Sequence, residues 1–340
     1  MKKDLSILIP TFNDVCKDTV EVLQRQAEKI DGLSYEIIVA DDGSTDDDAK
    51  LKNQAINLLP HCRYIVREEN VGRAAIRNFL ASVAAYDWLL FLDSGMSIAA
   101  DDFLLRYLQS DADVVCGGYQ VIDPLERTEG ALNHLNRAKR IEPKVIDRSS
   151  AVTQSVEHES AREITFERDE VALNPLSNLR YRYEKAAEEK LSKESRSAAP
   201  YQNFHTSNFL MARSIYLAHP LDTRFRRYGY EDVLMGKQLQ EAGIAIEHIN
   251  NPVLFDRFDS NERFVEKTEE ALQTLHDFQE ELTGYSRMLD VAGKLKRWGL
   301  VRPYLFIYNR MKEKWRSNLC GRAPSLLQFK LYKVGYYLSL

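Results

Sequence analysis

The 340-residue sequence predicts an α/β fold: a mostly parallel sheet flanked by helices, with a helical C-terminal extension. Three observations carry this prediction. Short apolar runs alternate with amphipathic segments up to residue 122. Three of the runs end in polar clusters, Thr11-Phe12-Asn13-Asp14, Asp41-Asp42-Gly43-Ser44 and Asp93-Ser94-Gly95. From residue 261 onward the spacing of apolar residues is helical.

The elements follow in order. Residues 5–9 (LSILI) are a short β-branched run stopped by Pro10, as expected of a buried strand. Helical spacing at 18–30 ends at Asp31-Gly32. Strands are predicted at 35–40, 63–67, 87–92 and 113–122, and helices at 46–58, 72–85 and 101–109. The alternation is lost over 123–200. There Pro175 opens a helical stretch with apolar positions at Leu176, Leu179, Tyr183, Ala187 and Leu191. Regular structure resumes at 204–217. Gly229 then breaks the chain, and Glu231-Asp232 stand at the N-terminus of another helix, where acidic residues are favourable. A strand at 244–254 and a helix at 261–283 follow. The expected division is 1–122, 123–260 with a helical insert, and 261–340.

Composition excludes several classes. Apolar residues at 44% and charged residues at 29% describe a globular chain, and a net charge of −5 argues against a nucleic-acid partner. No run approaches the length of a membrane span, and the apolar stretch after Met1 is too short for a signal peptide. Cys16, Cys62, Cys116 and Cys320 form no CxxC and read as reduced thiols, so a cytoplasmic location is expected. Residues 294–340 hold 11 Lys and Arg against one acid, Glu313, so an acidic body carries a basic tail. In that tail Tyr304, Leu305, Tyr308, Met311 and Trp315 fall at helical spacing with basic residues between them. This is the pattern of an interfacial helix on an anionic membrane surface, which would place the protein peripherally on the inner face. The alternative is that these aromatics pack on the body.

In parallel sheets, ligands bind beyond the carboxyl ends of the strands, where the three polar clusters lie. A carboxylate in such a place is often only a helix cap; the agreement of three says more. Neither GxGxxG nor GxxxxGK[ST] is present. A nucleotide in this crevice would therefore be fixed by side-chain hydrogen bonds. Its phosphates, facing Asp93, would need a cation or an arginine between them.

Six segments then resemble one family: LSILIPTFND at 5–14, YEIIVADDGSTDD at 35–47, ENVGRAAIRN at 69–78, WLLFLDSGM at 88–96, TSNFLMARS at 206–214 and YGYEDVLMGKQL at 228–239. In this order they are similar to the family-two glycosyltransferases of the GT-A fold. The resemblance implies a nucleotide-sugar donor, usually a UDP-sugar, and an inverting displacement onto a glycan or lipid-linked acceptor, as in polysaccharide biosynthesis. It implies that Thr11 and Asp42 hold the uracil, and that Arg73 or Arg77 helps with base or phosphate. Asp93, the first aspartate of the DxD motif, would lie by the ribose and a divalent metal, manganese or magnesium. Asp232 would be the general base and Glu231 would orient the acceptor.

The sequence departs from the family pattern twice. Gly95 stands where the second aspartate of DxD binds the metal, and Phe255 stands where a histidine ligand often follows the ED helix. Weak or absent metal dependence is the expectation, with Arg224, Arg226, Arg227 or Arg257 as possible replacement cations. His248 is expected to be structural. Two other readings stay open. One is a non-catalytic relative that binds a nucleotide-sugar or a glycan. The other is a nucleotidyltransferase, which would normally show a glycine-rich basic loop after the first strand.

Overall fold

The computed structural model describes residues 1–123 and 175–340. The part of the predicted insert over 124–174 lies outside them. Nine strands are described: β1 (Asp4–Thr11), β2 (Ser34–Asp41), β3 (Cys62–Val66), β4 (Trp88–Leu92), β5 (Val114–Cys116), β6 (Tyr119–Val121), β7 (Asn208–Ala212), β8 (Glu247–His248) and β9 (Val253–Phe255). Seven form one sheet in the order β3-β2-β1-β4-β7-β5-β8, and β6 pairs with β9 in a second. The first four strands run parallel, and β7 lies antiparallel to both β4 and β5.

Helices α1 (Lys17–Glu28), α2 (Asp47–Gln54), α3 (Arg73–Val83) and α4 (Phe103–Gln109) connect the first strands. Both faces of the sheet are covered, which is why its strands read as continuous apolar runs. Ile7, Ile9, Ile37 and Val39 pack with residues of α1 and α4 on one side. Leu8, Ile38, Leu89 and Phe91 pack with Ile76 and Leu80 of α3 on the other. β1 continues through Pro10 to Thr11 rather than stopping at the proline. Its ladder with β4 has already ended at Leu8, so the missing N–H of Pro10 costs no bond on that side.

The predicted strand at 113–122 is two strands in different sheets. They part at Gly117-Gly118, where Gly118 has φ +78° and a Cβ would fall 2.7 Å from the guanidinium carbon of Arg196. Arg196 is buried and donates to the carbonyls of Leu191, Cys116, Gly117 and Ile249 at 2.8–3.1 Å. It also donates to Nδ1 of His248 at 2.8 Å, while Nε2 of His248 lies 2.9 Å from the Pro200 carbonyl. Arginine can only donate and a carbonyl can only accept, so His248 is the neutral Nε2–H tautomer. It is part of the framework. The predicted strand at 244–254 is likewise split, into β8 and β9.

The stretch opened by Pro175 is broken as well. A turn of 3₁₀ helix (Pro175–Ser177) precedes α5 (Leu179–Lys185), another covers Glu188–Leu191, and α6 (Lys193–Ser197) follows. Then come α7 (Arg213–Ala218), α8 (Glu231–Glu241), α9 (Asn261–Asp277), α10 (Arg287–Arg297), α11 (Val301–Cys320) and α12 (Leu326–Ser339).

The C-terminal helices correct the expectation for the tail. Tyr308 and Trp315 are buried with Leu319, Phe329, Tyr332, Leu179 and Val265, and Tyr304, Leu305 and Met311 pack against that cluster. The apolar stripe assigned to a membrane is therefore the seam that fixes α11 and α12 to α5 and α9. Asn261 ties the same region together. Its Nδ2 donates to the carbonyls of Ser177 and Gly321, both at 2.9 Å, and its Oδ1 accepts from the Leu179 amide at 2.6 Å. Among the described residues no helix is long and apolar enough to cross a membrane.

Candidate active site

The carboxyl ends of β1, β2 and β4 bring the predicted residues to one side of the sheet. Thr11 and Asp41 are register partners, and the Asp42 amide donates to the Thr11 carbonyl at 2.9 Å. The Thr11 hydroxyl donates to the Asp14 carbonyl at 3.1 Å. Asn13, at φ +53°, knits the two loops: its Oδ1 accepts from the amides of Thr45 and Asp46. The two aspartates of the turn have different tasks. Asp41 accepts from the Ser44 amide and from the Tyr64 hydroxyl. Asp42 accepts from the amides of Val71 and Gly72 at 2.9 and 3.0 Å and so fixes the loop that opens α3. Burial pushes the Asp42 carboxyl above its usual range, against the pull of those two amides.

Arg73 and Arg77, one turn apart on α3, part company. Arg77 is 2% exposed and forms an ion pair with Asp93 from behind, while donating to the Arg73 carbonyl at 3.0 Å. Arg73 faces the cleft, 3.5 Å from an Asp93 oxygen and 3.1 Å from Glu231. Its guanidinium also sits 5.0 Å from the centre of the Tyr228 ring.

Glu231 and Asp232 follow a strained turn, and of the two Asp232 lines the cleft. Gly229 has φ +93° and Tyr230 φ +69°, a left-handed conformation that a non-glycine residue adopts at a cost. Glu231 is buried, and burial raises its carboxyl above the ordinary range despite Arg73. Asp232 goes the other way. Burial pushes it up, but His205 beside it, the Val233 amide and the Arg73 charge outweigh that and hold it below the usual value. His205 Nδ1 lies 3.4 Å from Oδ2 of Asp232, and the Val233 amide donates to Oδ1 at 2.8 Å.

Of these groups Arg73, Asp93, His205 and Asp232 line one cleft of roughly 170 Å³, together with Tyr119 and Arg180, whereas Thr11, Asp42, Arg77 and Glu231 are not among its lining residues. Three of the lining residues just named were not read from the sequence. Arg180 lies in the helical stretch opened by Pro175, where the sequence signal is in the apolar positions. Tyr119 sits at a strand end hidden by the Gly117-Gly118 break. His205 had a weak signal, a lone histidine ahead of the TSNFLMARS segment.

The donor set does not suit the family's divalent metal. Asp93 is shared by two guanidinium groups, and a metal beside it would face both. Phe255 packs among Tyr119 and Phe258, with Arg180 over its ring at 4.5 Å. Among the described residues, no group of three or more His, Cys, Asp or Glu side chains gathers to hold a metal.

Residues 6–156 match the family model described as Glycosyl transferase family 2. Over that stretch the chain is similar to the family-two glycosyltransferases. The chain is 28% identical over 127 residues to a dolichyl-phosphate beta-glucosyltransferase of Dictyostelium discoideum, covering 33% of this chain and 39% of that protein. It is 24% identical over 315 residues to a hyaluronan synthase of Pasteurella multocida, covering 90% of this chain and 30% of that protein. The chain thus spans less than half the length of the curated relatives it matches. Among solved structures, a mannosyltransferase from Pyrobaculum calidifontis in complex with GDP-Man and Mn2+ superimposes with a TM-score of 0.53. That match covers 98% of this chain and 84% of the other at 12% identity, and it shows that the chain has the GT-A fold.

Proposed function

We propose that this protein transfers a sugar from a nucleotide-sugar donor, a UDP-sugar in the first instance, to a hydroxyl of a glycan or lipid-linked glycan, with inversion. The observation that carries this reading is the cleft itself. It joins the Asp93 end of the donor side to a carboxylate, Asp232, held ionised by His205. An inverting transfer needs a base within hydrogen-bond reach of the attacking hydroxyl. Asp232 takes the proton as the acceptor oxygen bonds to the anomeric carbon. The bond from that carbon to the diphosphate breaks, and the diphosphate leaves with the electron pair. Thr11 and Asp42 hold the base end directly or through the loop at 71–72. Arg73 lies between the donor side and Glu231, which orients the acceptor. The names of the two relatives, a dolichyl-phosphate glucosyltransferase and a hyaluronan synthase, support lipid-linked and polysaccharide acceptors alike. The non-catalytic reading is less favoured, because a binding module has no use for an ionised carboxylate on a strained turn at the acceptor side. The deciding experiment incubates the protein with a panel of UDP- and GDP-sugars and lipid-linked or oligosaccharide acceptors and reads the anomer of the product by NMR. Nucleotide binding without transfer to any acceptor would favour the non-catalytic relative.

The proposed contact with an anionic membrane uses other side chains of the 294–340 segment than the stripe the sequence suggested. Trp298, Leu300, Phe306 and Ile307 are exposed at the corner between α10 and α11, at 43–69%. Lys294, Lys296, Arg297, Arg302 and Arg310, close to them in the sequence, are also exposed. Exposed apolar side chains interspersed with basic ones suit the headgroup region of an anionic bilayer, at about 1 kcal/mol per basic residue. A lipid-linked acceptor would give this docking a purpose.

A further inference from the structure

Resting on the nucleotide-sugar reading, we propose that Arg257, seated on Asp14, is the cation that neutralises the donor's diphosphate, in the place the family gives to a metal. The argument begins with Gly95. A Cβ there would fall 3.3 Å from Oδ2 of Asp14, so the space above the DxD position is already taken by a carboxylate from the first loop. The Ser94 hydroxyl donates to the same oxygen at 3.0 Å. Asp14 is well anchored: its carbonyl accepts from the Thr11 hydroxyl and from Asn53 Nδ2 at 2.8 Å. Its other carboxylate oxygen accepts from Arg257 at 2.7 Å. Arg257 follows β9 and is two residues beyond Phe255, the position where a metal-ligating histidine would stand.

Both departures from the family pattern thus converge on one ion pair. The aspartate missing at 95 is replaced by Asp14, and the metal's charge by a guanidinium that the chain brings in just past the missing histidine. Of the other candidate arginines, Arg224 pairs with Asp222 and Glu281 and Arg227 with Asp277, none of which belongs to the first loop or to the segment at 93–95, and Arg226 is exposed with its backbone against Gly72 at the start of α3. Arg257 remains 44% exposed in its side chain, which leaves its other nitrogens able to meet an anion. A guanidinium suits phosphate oxygens because its fork can donate two parallel bonds. When the bond to the anomeric carbon breaks, the diphosphate gains a negative charge, and a fixed cation there stabilises it.

The test is calorimetry on the full chain with UDP, GDP, uridine and guanosine, in chelator and across a manganese titration. The wild type should bind one diphosphate in chelator, with less than about a threefold gain from manganese. Arg257→Ala should weaken the diphosphate at least tenfold and leave the matching nucleoside unchanged. Arg257→Lys should recover part of the loss, and Asp14→Asn should lower diphosphate affinity by misplacing the arginine. Melting curves for each variant separate binding loss from unfolding. Diphosphate binding that Arg257→Ala leaves intact, or a saturable tenfold gain with manganese in the wild type, overturns the assignment. A wild type that binds none of the four ligands removes the nucleotide-sugar reading itself, and the assignment with it.

Discussion

The imidazole of His205 lies with Nδ1 3.4 Å from Oδ2 of Asp232, and this pairing sets how the cleft responds to pH. Asp232 must be ionised to accept a proton, and its environment holds it below the ordinary carboxylate range. The acid limb of the rate profile should accordingly lie below the usual aspartate value. Removing the imidazole raises the Asp232 pKa, so His205→Ala should shift that limb toward neutrality. A profile that does not move would detach His205 from the base. Asp232→Asn keeps the shape without the basicity and should lower turnover by about 100- to 10,000-fold with donor affinity retained. Single-turnover rates and donor titrations check both halves.

Asp42→Ala should weaken diphosphate binding by about 1–3 kcal/mol, the range for a buried partner left unmade. It should also lower the melting temperature, because the amides of Val71 and Gly72 lose their acceptor. Calorimetry and thermal unfolding read the two effects separately. Unchanged affinity with a lowered melting point would make Asp42 a brace for the loop and nothing more.

Stability should fall with acid through His248. Burial lowers its pKa to about 4 from the 6.5 expected of the unfolded chain. The folded state therefore binds fewer protons than the unfolded one between those values. The stabilisation is complete above pH 6.5 and is lost as the pH falls to about 4, a span worth roughly 3 kcal/mol. Urea midpoints of the wild type and His248→Gln across that window should show a shallower slope in the variant. Parallel slopes would mean that the carboxylates alone govern acid unfolding.

Gly335→Ala tests whether α12 is packed as described. A Cβ there would enter the space of the buried Tyr308 ring. Overpacking of this kind costs about 1–3 kcal/mol, measurable as a lower urea midpoint. A variant as stable as the wild type would show that the seam between α11 and α12 is loose.

The double substitution of Phe306 and Ile307 by Glu should abolish co-sedimentation with anionic vesicles at low salt and spare the melting temperature, since both side chains are exposed. Vesicle binding equal to that of the wild type would place the contact elsewhere, and no binding by either protein would make the basic tail a solvated face.

The β1–β4 half was legible because its signals are local. Apolar runs such as LSILI and YEIIVA are buried on both faces, and the polar clusters mark where the strands end. The ED pair was legible for the same reason, as acids at a helix start beyond a glycine. What stayed hidden depends on contacts far apart in the chain. The break at Gly117-Gly118 is dictated by Arg196, and no periodicity in residues 113–122 announces it. The stripe of Tyr308 and Trp315 has the same spacing whether its partner is lipid or Phe329, so the pattern could not decide between them. Among four arginines, only the fold could single out Arg257, because its partner is 243 residues away.

Asn261 has a consequence for how such enzymes diversify. One carboxamide clasps the segment before α5 to the turn after α11. The cleft wall on α5, lined by Arg180 and Glu184, is therefore tied to the C-terminal helices. A recombinant that exchanges the wall alone would have to re-form this clasp with a foreign tail. One that exchanges residues 175–340 as a block would carry its own clasp along. Acceptor preference should then travel between relatives as a single cassette, while the β1–β4 half changes hands independently.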